Sequence, residues 1–120
     1  MNSKDLIIRS KNFAYHCIDV CSLLPNNFLG NHTKGQLIRC STSVAANYRA
    51  TCHAQSKPSF IAKISIVVEE CDESEFWLQL IIDKKLIQEE KIIPILKEAN
   101  ELTSIFVSSR KTASLALKKI

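Results

Sequence analysis

Turn-forming residues are scarce in this chain, which has two glycines and three prolines among its 120 residues. An all-β domain of this length needs many more of them, because its strands are joined by turns rich in Gly and Pro. All five lie at or near breaks between segments of helical periodicity. The shortage therefore excludes a β-rich fold and favours an all-α one.

Long apolar runs and paired-cysteine motifs are missing as well. No apolar stretch is long enough for a membrane-spanning helix, and the charges near the start leave no room for a signal peptide. The five cysteines are an odd number, which cannot pair completely within one chain, and none belongs to a CxxC motif. We therefore expect a cytoplasmic protein that has no membrane contact and keeps its thiols free.

Apolar residues recur every three or four positions in four segments of the chain. This spacing predicts four α-helices, over about residues 3–24, 31–54, 57–84 and 90–111. Their inward faces predict a core that includes Leu6, Phe13, Cys17, Cys21, Leu24, Leu37, Val44, Tyr48, Thr51, Ile64, Cys71, Leu78, Ile81, Ile92, Ala99 and Leu102.

 The third and fourth stripes also take in Phe60 or Ile61, Val67 or Val68, and Ile105 or Phe106.

The boundaries of these helices follow from local chemistry. Pro25 ends the first segment, because a proline disfavours helical geometry in the residue before it. Ser56 suits the N-cap of the third helix, and Pro58 is tolerated in its first turn. Residues 112–120 are predicted to form a fraying basic tail. Because the linkers are short, neighbours must be antiparallel, so residues 1–120 are expected to form one antiparallel up-down-up-down four-helix bundle.

Positive charge is concentrated in the first half of the sequence. Residues 1–63 have eight Lys/Arg and two acidic residues, whereas residues 64–120 have eight Lys/Arg and ten acidic residues. Phosphate neutralisation needs only Lys and Arg clustered on one face, so the first half is the candidate surface for RNA or DNA. The residues predicted to bind nucleic acid are Arg39, Arg49, Lys57 and Lys63. The alternative interpretation is that they are ordinary solubilising charges.

An acidic run, Glu69-Glu70-Cys71-Asp72-Glu73-Ser74-Glu75, lies in the third segment. A di-iron site in a helical bundle uses Glu-x-x-His pairs, but none of the three histidines has a Glu three residues before it. The run is then either a solvated face or a structural one that receives arginines from the second helix. Since Arg39 and Arg49 are about three turns apart, one can pair with the third helix while the other stays free.

No pattern indicates catalysis, a metal or a cofactor. Cys17 and Cys21 lie one turn apart beside His16, but zinc sites usually show CxxC spacing, and cysteine on an apolar stripe is more often a small core residue. Asn47 lies within a helix, where its amide needs a partner. One interpretation is a tertiary hydrogen bond that fixes the helix register, and the other is a role in binding a ligand or partner.

Several blocks, in order along almost the whole chain, resemble one bacterial family. They are Gln36–Ala50, Phe60–Lys63, Glu69–Glu73, Trp77–Leu78, Glu98–Leu102 and Ile105–Phe106. The sequence is similar to the "four helix bundle protein" family, the proteins encoded by intervening sequences in 23S ribosomal RNA genes. A more distant likeness is to the accessory protein of diversity-generating retroelements.

The family resemblance implies a four-helix bundle that assembles as a ring, most often a homopentamer, with no known enzymatic activity. The distant relative implies a basic, barrel-shaped pentamer that binds nucleic acid and a reverse transcriptase. Because they lie in the shared blocks, the residues assigned first to packing, capping or subunit contacts are Ser43, Asn47, Arg49, Glu70, Asp72 and Glu73.

These observations together predict a non-enzymatic, ring-forming homo-oligomer that acts as a nucleic-acid-binding accessory protein and needs no cofactor or metal. The second hypothesis is a protein–protein scaffold whose acidic third helix docks a partner. A metal-dependent enzyme is the third. The expected partners are further copies of the chain, RNA or DNA, and a protein partner.

Overall fold

A computed structural model describes residues 1–119 of the chain and contains four α-helices. They are α1 (Ser3–Cys21), α2 (Phe28–Thr51), α3 (Lys57–Asp83) and α4 (Glu89–Lys118). Each packs against its neighbours in the chain, and α4 returns to α1, which gives an elongated bundle of 52 × 21 × 20 Å. The predicted all-α, antiparallel up-down-up-down four-helix bundle is confirmed.

Three of the helices begin at side-chain caps. Asn2 accepts a hydrogen bond from the backbone N–H of Asp5, and Ser56 accepts one from that of Ser59. Asn27 likewise accepts from the N–H of Gly30, at 2.8 Å. Such caps satisfy N–H groups that the first helical turn would otherwise leave without partners. Pro58 lies in the first turn of α3, where a missing N–H costs nothing.

Four boundaries differ by three residues or more from those predicted. The first helix ends at Cys21 rather than near residue 24, and the second ends at Thr51 rather than near residue 54. The second helix begins at Phe28 rather than near residue 31, because Asn27 is its N-cap. The fourth helix runs to Lys118, so the prediction of a fraying tail from residue 112 is wrong over residues 112–118. Ala113 is buried. Its burial and the good helix formers around it favour the continuation of α4. Ile120 lies outside the described residues.

The core runs along the bundle axis and contains the predicted apolar stripes. Phe13, Leu37, Ile64 and Phe106 are among its largest fully buried side chains. The core cluster comprises Leu6, Phe13, Cys17, Val20, Cys21, Leu24, Leu37, Cys40, Val44, Tyr48, Ile64, Val67, Cys71, Leu78, Ile81, Ile87, Ile92, Ala99, Leu102 and Phe106. Burial of these faces, more than intrinsic helix propensity, holds the four helices together.

Candidate nucleic-acid interface and the charged surface

Topology brings the basic residues of two distant segments to one end of the bundle. The end of α2, its turn into α3 and the end of α4 meet there, so that residues 54–60 face residues 108–113 across a shallow cleft of about 570 Å³. Segments 49–63 and 106–119 together hold seven Lys/Arg and no Asp/Glu. We call these seven residues the basic pole: Arg49, Lys57, Lys63, Arg110, Lys111, Lys118 and Lys119.

The cations of the basic pole are accessible. Arg49, Lys57, Lys111 and the last two lysines are exposed, while Lys63 and Arg110 are partly buried. The first turn of α3, which begins at this end of the bundle, contains no acidic residue. The rest of the chain has nine Lys/Arg against twelve Asp/Glu, so the excess positive charge belongs to this pole.

Of the four residues predicted to bind nucleic acid, Arg49, Lys57 and Lys63 lie at the basic pole and Arg39 does not. Arg39 is ten residues before Arg49 on α2, a separation of about 15 Å along the helix. Its guanidinium pairs with Glu70 at 3.1 Å and with Glu73. The charge of Arg39 is therefore compensated within the subunit, which removes it from the candidate surface.

Four cations of the basic pole come from α4 and were not among the residues predicted to bind nucleic acid, namely Arg110, Lys111, Lys118 and Lys119. The division of the sequence into halves placed them in the acidic half, and residues 112–120 were expected to form a fraying tail. One signal could have found them. After Pro94 the sequence has no further glycine or proline to stop the helix, and up-down topology then brings its end beside the turn from α2 to α3.

The Arg39 cluster organises the α2–α3 face. Trp77 Nε1 donates to the same Glu73 carboxylate, at 3.1 Å. The hydrogen bond from Arg39 holds the pKa of Glu73 below its ordinary value, and the same contact raises the pKa of Arg39. Glu70 and Glu73 thus face a cation of their own subunit, whereas Asp72 is exposed on the outer side of α3.

A second ion-pair cluster joins α1 to α4. It was not predicted from the sequence. Arg9 Nε donates to Glu98 at 2.7 Å, and its Nη2 lies 2.6 Å from Glu98 and 2.8 Å from Glu101. The hydrogen bond to Glu98 is the main cause of the raised pKa of Arg9. This bidentate pairing links the first and last helices of the bundle.

Asn47 and Ser43 form a local contact within α2. The Asn47 amide donates to the Ser43 carbonyl oxygen at 2.9 Å and to Ser43 Oγ at 2.8 Å. The interpretation of a tertiary hydrogen bond is therefore wrong: the partner lies one turn earlier on the same helix. An amide at this spacing satisfies itself without reaching a neighbouring helix.

The cysteines are core residues. Cys17, Cys21, Cys40 and Cys71 are buried, and Cys52 is partly buried. Burial raises the pKa of Cys21 to about 11 and that of Cys71 to about 12, so these thiols stay protonated and are poor nucleophiles. Within residues 1–119, no group of three or more His, Cys, Asp or Glu side chains is placed to hold a metal ion.

No membrane-spanning segment is found among the described residues. Across residues 1–119, none of the four helices combines the length and the apolar character needed to span a bilayer.

The fold and the charge distribution define a small four-helix bundle with one strongly basic end. The family model of the 23S rRNA-intervening sequence protein matches residues 4–108, and the chain belongs to this family. The resemblance noted in the sequence is thereby confirmed for this family, while the likeness to the retroelement accessory protein stays a prediction.

A solved structure is similar over most of its length. It is the crystal structure of a protein with unknown function from the S23 ribosomal protein family of Bacteroides thetaiotaomicron, with a TM-score of 0.82 and 30% sequence identity. The match covers 92% of this chain and 99% of that one. No curated protein sequence matches significantly.

Proposed function

We propose that this chain is a non-enzymatic, homo-oligomeric accessory protein of the cytoplasm that binds nucleic acid through the basic pole. The observation that carries the proposal is the convergence of two acid-free segments, 49–63 and 106–119, at one end of the bundle. Neither segment is strongly basic alone. Their seven cations form a single patch only because α2, α3 and α4 meet there.

The chemistry of the patch suits the sugar-phosphate backbone. Lysine and arginine release condensed counterions when they neutralise phosphates, and this term is independent of base sequence. Hydroxyls of Ser56, Ser108, Ser109 and Thr112 lie around the same cleft as further hydrogen-bond donors. The proposal therefore predicts tolerant binding of many sequences, with affinity that falls steeply as salt is added.

Large exposed apolar side chains support the homo-oligomeric part of the proposal. Ile8 is 54% exposed, Tyr15 53% and Phe76 59%, and each lies on an outward helix face. Single exposed apolar residues are common on monomers, but apolar residues repeated along one face favour a surface that another chain covers.

A protein–protein scaffold is the second candidate, and one surface feature favours it. Phe28 is 88% exposed and stacks on His32, which contacts the edge of Trp77, which in turn contacts Phe76. This aromatic row lies at the end of the bundle opposite the basic pole. Aromatic side chains are enriched where proteins bind one another.

The test is direct binding of fluorescein-labelled RNA and DNA, single-stranded and duplex, followed by anisotropy over a series of salt concentrations. We expect binding at about 0.1 M salt, with a slope of log K against log [salt] of roughly −3 to −5. Absence of binding to all four probes at that salt would contradict the proposal. Such a result, with a stoichiometric protein co-purifying from the native host, would support the scaffold instead.

A further inference from the structure

The outer face of α1 carries a stripe of alternating basic and apolar residues. At steps of four and three, the spacing of one helix face, it contains Lys4, Ile8, Lys11, Tyr15 and Ile18, all exposed. Lys11 Nζ lies over the ring of its own Tyr15, 5.8 Å from the centroid. Within residues 1–119, neither lysine of this α1 stripe forms an ion pair.

The outer face of α3 carries a complementary stripe of acidic and apolar residues. It contains Glu69, Asp72, Phe76 and Asp83, all exposed, and we call it the α3 stripe. In the described part of the chain, none of its three carboxylates has an ion-pair partner, in contrast to Glu70 and Glu73, which Arg39 neutralises. Glu69 and Asp72, three residues apart on this face, repel each other, which favours a cationic partner from outside the subunit.

The two stripes occupy opposite corners of the bundle. Each of α1 and α3 packs against α2 and α4, and among the described residues no Cα atom of α1 lies within 8 Å of one of α3. A stripe on α1 and a stripe on α3 therefore point away from each other. One subunit cannot satisfy its own stripes, and two subunits can do so only by contacting different faces.

The stripes also lie at the same height along the bundle. Arg9 pairs with Glu98, and Cys71 Sγ lies 3.6 Å from the carbonyl oxygen of Ala99, the next residue on α4, so Arg9 and Cys71 are level. Since α1 and α3 run in the same direction, Lys11 is close to the level of Asp72. Four residues further along each helix, Tyr15 is then level with Phe76.

We propose that the α1 stripe of one copy docks on the α3 stripe of a second copy in a head-to-tail contact. This inference rests on the homo-oligomeric part of the proposed function and names the surfaces that would form it. Lys11 lies against Asp72 and Tyr15 packs on Phe76, while Glu69, level with Ile8, lies between Lys4 and Lys11. The contact is heterologous, because each subunit uses a different face from its partner, and it repeats from copy to copy.

A geometric consequence links this contact to the basic pole. In a contact between helices running the same way, neighbouring bundles are parallel, so every subunit presents its basic pole on the same side of the assembly. Several poles side by side raise the number of phosphates that one assembly neutralises, which strengthens binding without any new contact within a subunit.

The experiment uses two variants that each destroy one stripe, Tyr15→Asp and Phe76→Asp. Both positions are exposed, so we expect each variant to keep the helical circular dichroism and melting behaviour of the bundle. Light scattering should show an oligomer for the wild type and a monomer for each variant. An equimolar mixture of the two should form a two-chain complex, because one intact α1 stripe meets one intact α3 stripe.

Ile93→Asp is the matched control, since Ile93 is 48% exposed on α4 and belongs neither to a stripe nor to the aromatic row that contains Phe28 and Phe76; its oligomeric mass should equal that of the wild type. A second route uses charge: Lys11→Glu should weaken assembly, and adding Asp72→Lys to the same chain should restore it. The single charge variant and the charge-reversed double variant test the contact between the stripes even if an aspartate variant does not fold.

Different results overturn different statements. A wild type that is monomeric at all concentrations contradicts both the homo-oligomer and this contact. An oligomeric wild type whose mass is unchanged by Tyr15→Asp and Phe76→Asp contradicts only the two stripes. Variants that dissociate alone and stay monomeric when mixed contradict the head-to-tail arrangement, which requires the two remaining intact stripes to pair. A contact between identical faces would instead leave at least one of the two variants dimeric.

Discussion

Replacing Lys57 and Lys111 with glutamine is expected to weaken nucleic-acid binding about 60-fold at about 0.1 M salt. One residue comes from the turn into α3 and the other from α4, and both are exposed at the basic pole. Each lost phosphate contact lowers the magnitude of the salt slope by about 0.9, so two lower it by about 1.8. Extrapolated from about 1 M to about 0.1 M salt, that difference in slope gives the stated loss of affinity.

The measurement is anisotropy with one labelled duplex over a range of salt concentrations. The matched control is Lys84→Gln with Lys91→Gln, which removes the same charge from two exposed lysines at the opposite end of the bundle. We expect the control to keep at least most of the wild-type slope. Equal losses in the two double variants would show that net charge, and not the basic pole, determines binding.

Gly30→Ala is expected to destabilise the bundle by about 3 kcal/mol. A Cβ at Gly30 would lie 1.9 Å from the carbonyl oxygen of Pro25, and that oxygen belongs to backbone that cannot rotate away. The same turn is fixed by two hydrogen bonds, from the N–H of Gly30 to Asn27 Oδ1 and from the N–H of Asn27 to Pro25. Relieving the clash therefore disturbs the N-cap of α2 as well as the loop from α1.

Gly35→Ala, five residues further along the same helix, is the control with the opposite sign. A Cβ at Gly35 meets no atom within 4 Å, so alanine gains helix propensity without strain. We expect a stabilisation of about 0.5–1 kcal/mol. Urea unfolding followed by circular dichroism measures both changes. Equal effects of the two substitutions would contradict the close approach of α2 to Pro25.

The fold could be predicted because helical periodicity is a local property of the sequence. Leu37, Val44 and Tyr48 repeat at helical spacing, and the structure buries all three on one face of α2. The short linkers then leave little choice of topology, since each helix must return beside the one before it.

The extent of α4 was harder to predict because its last turns bury little. Among residues 107–119 only Ala113 is buried, so the apolar stripe that marks a helix almost disappears. Alanine, leucine and lysine nevertheless favour helix, and no breaker follows Pro94. Apolar periodicity indicates burial, so it does not detect the part of a helix that extends beyond the packed core.

The candidate surface was predicted only in part, because charge along the sequence is not charge in space. Arg49 and Lys57 are close in sequence and were identified together, but Lys111 is brought beside them only by the return of α4. Arg39 looked equivalent to Arg49 until the structure paired it with Glu70 and Glu73. Such pairs depend on the relative rotation of two helices, which composition and spacing do not determine.

Lysine acetylation footprinting tests the central claim, that the basic pole is the nucleic-acid surface, most directly. The protein is acetylated briefly with and without a saturating duplex, and the modification of each lysine is measured by mass spectrometry. The account predicts slower acetylation of Lys57, Lys63 and Lys111 in the presence of the duplex, with unchanged rates at Lys84 and Lys91. Protection of Lys84 and Lys91 without protection of the pole would contradict it.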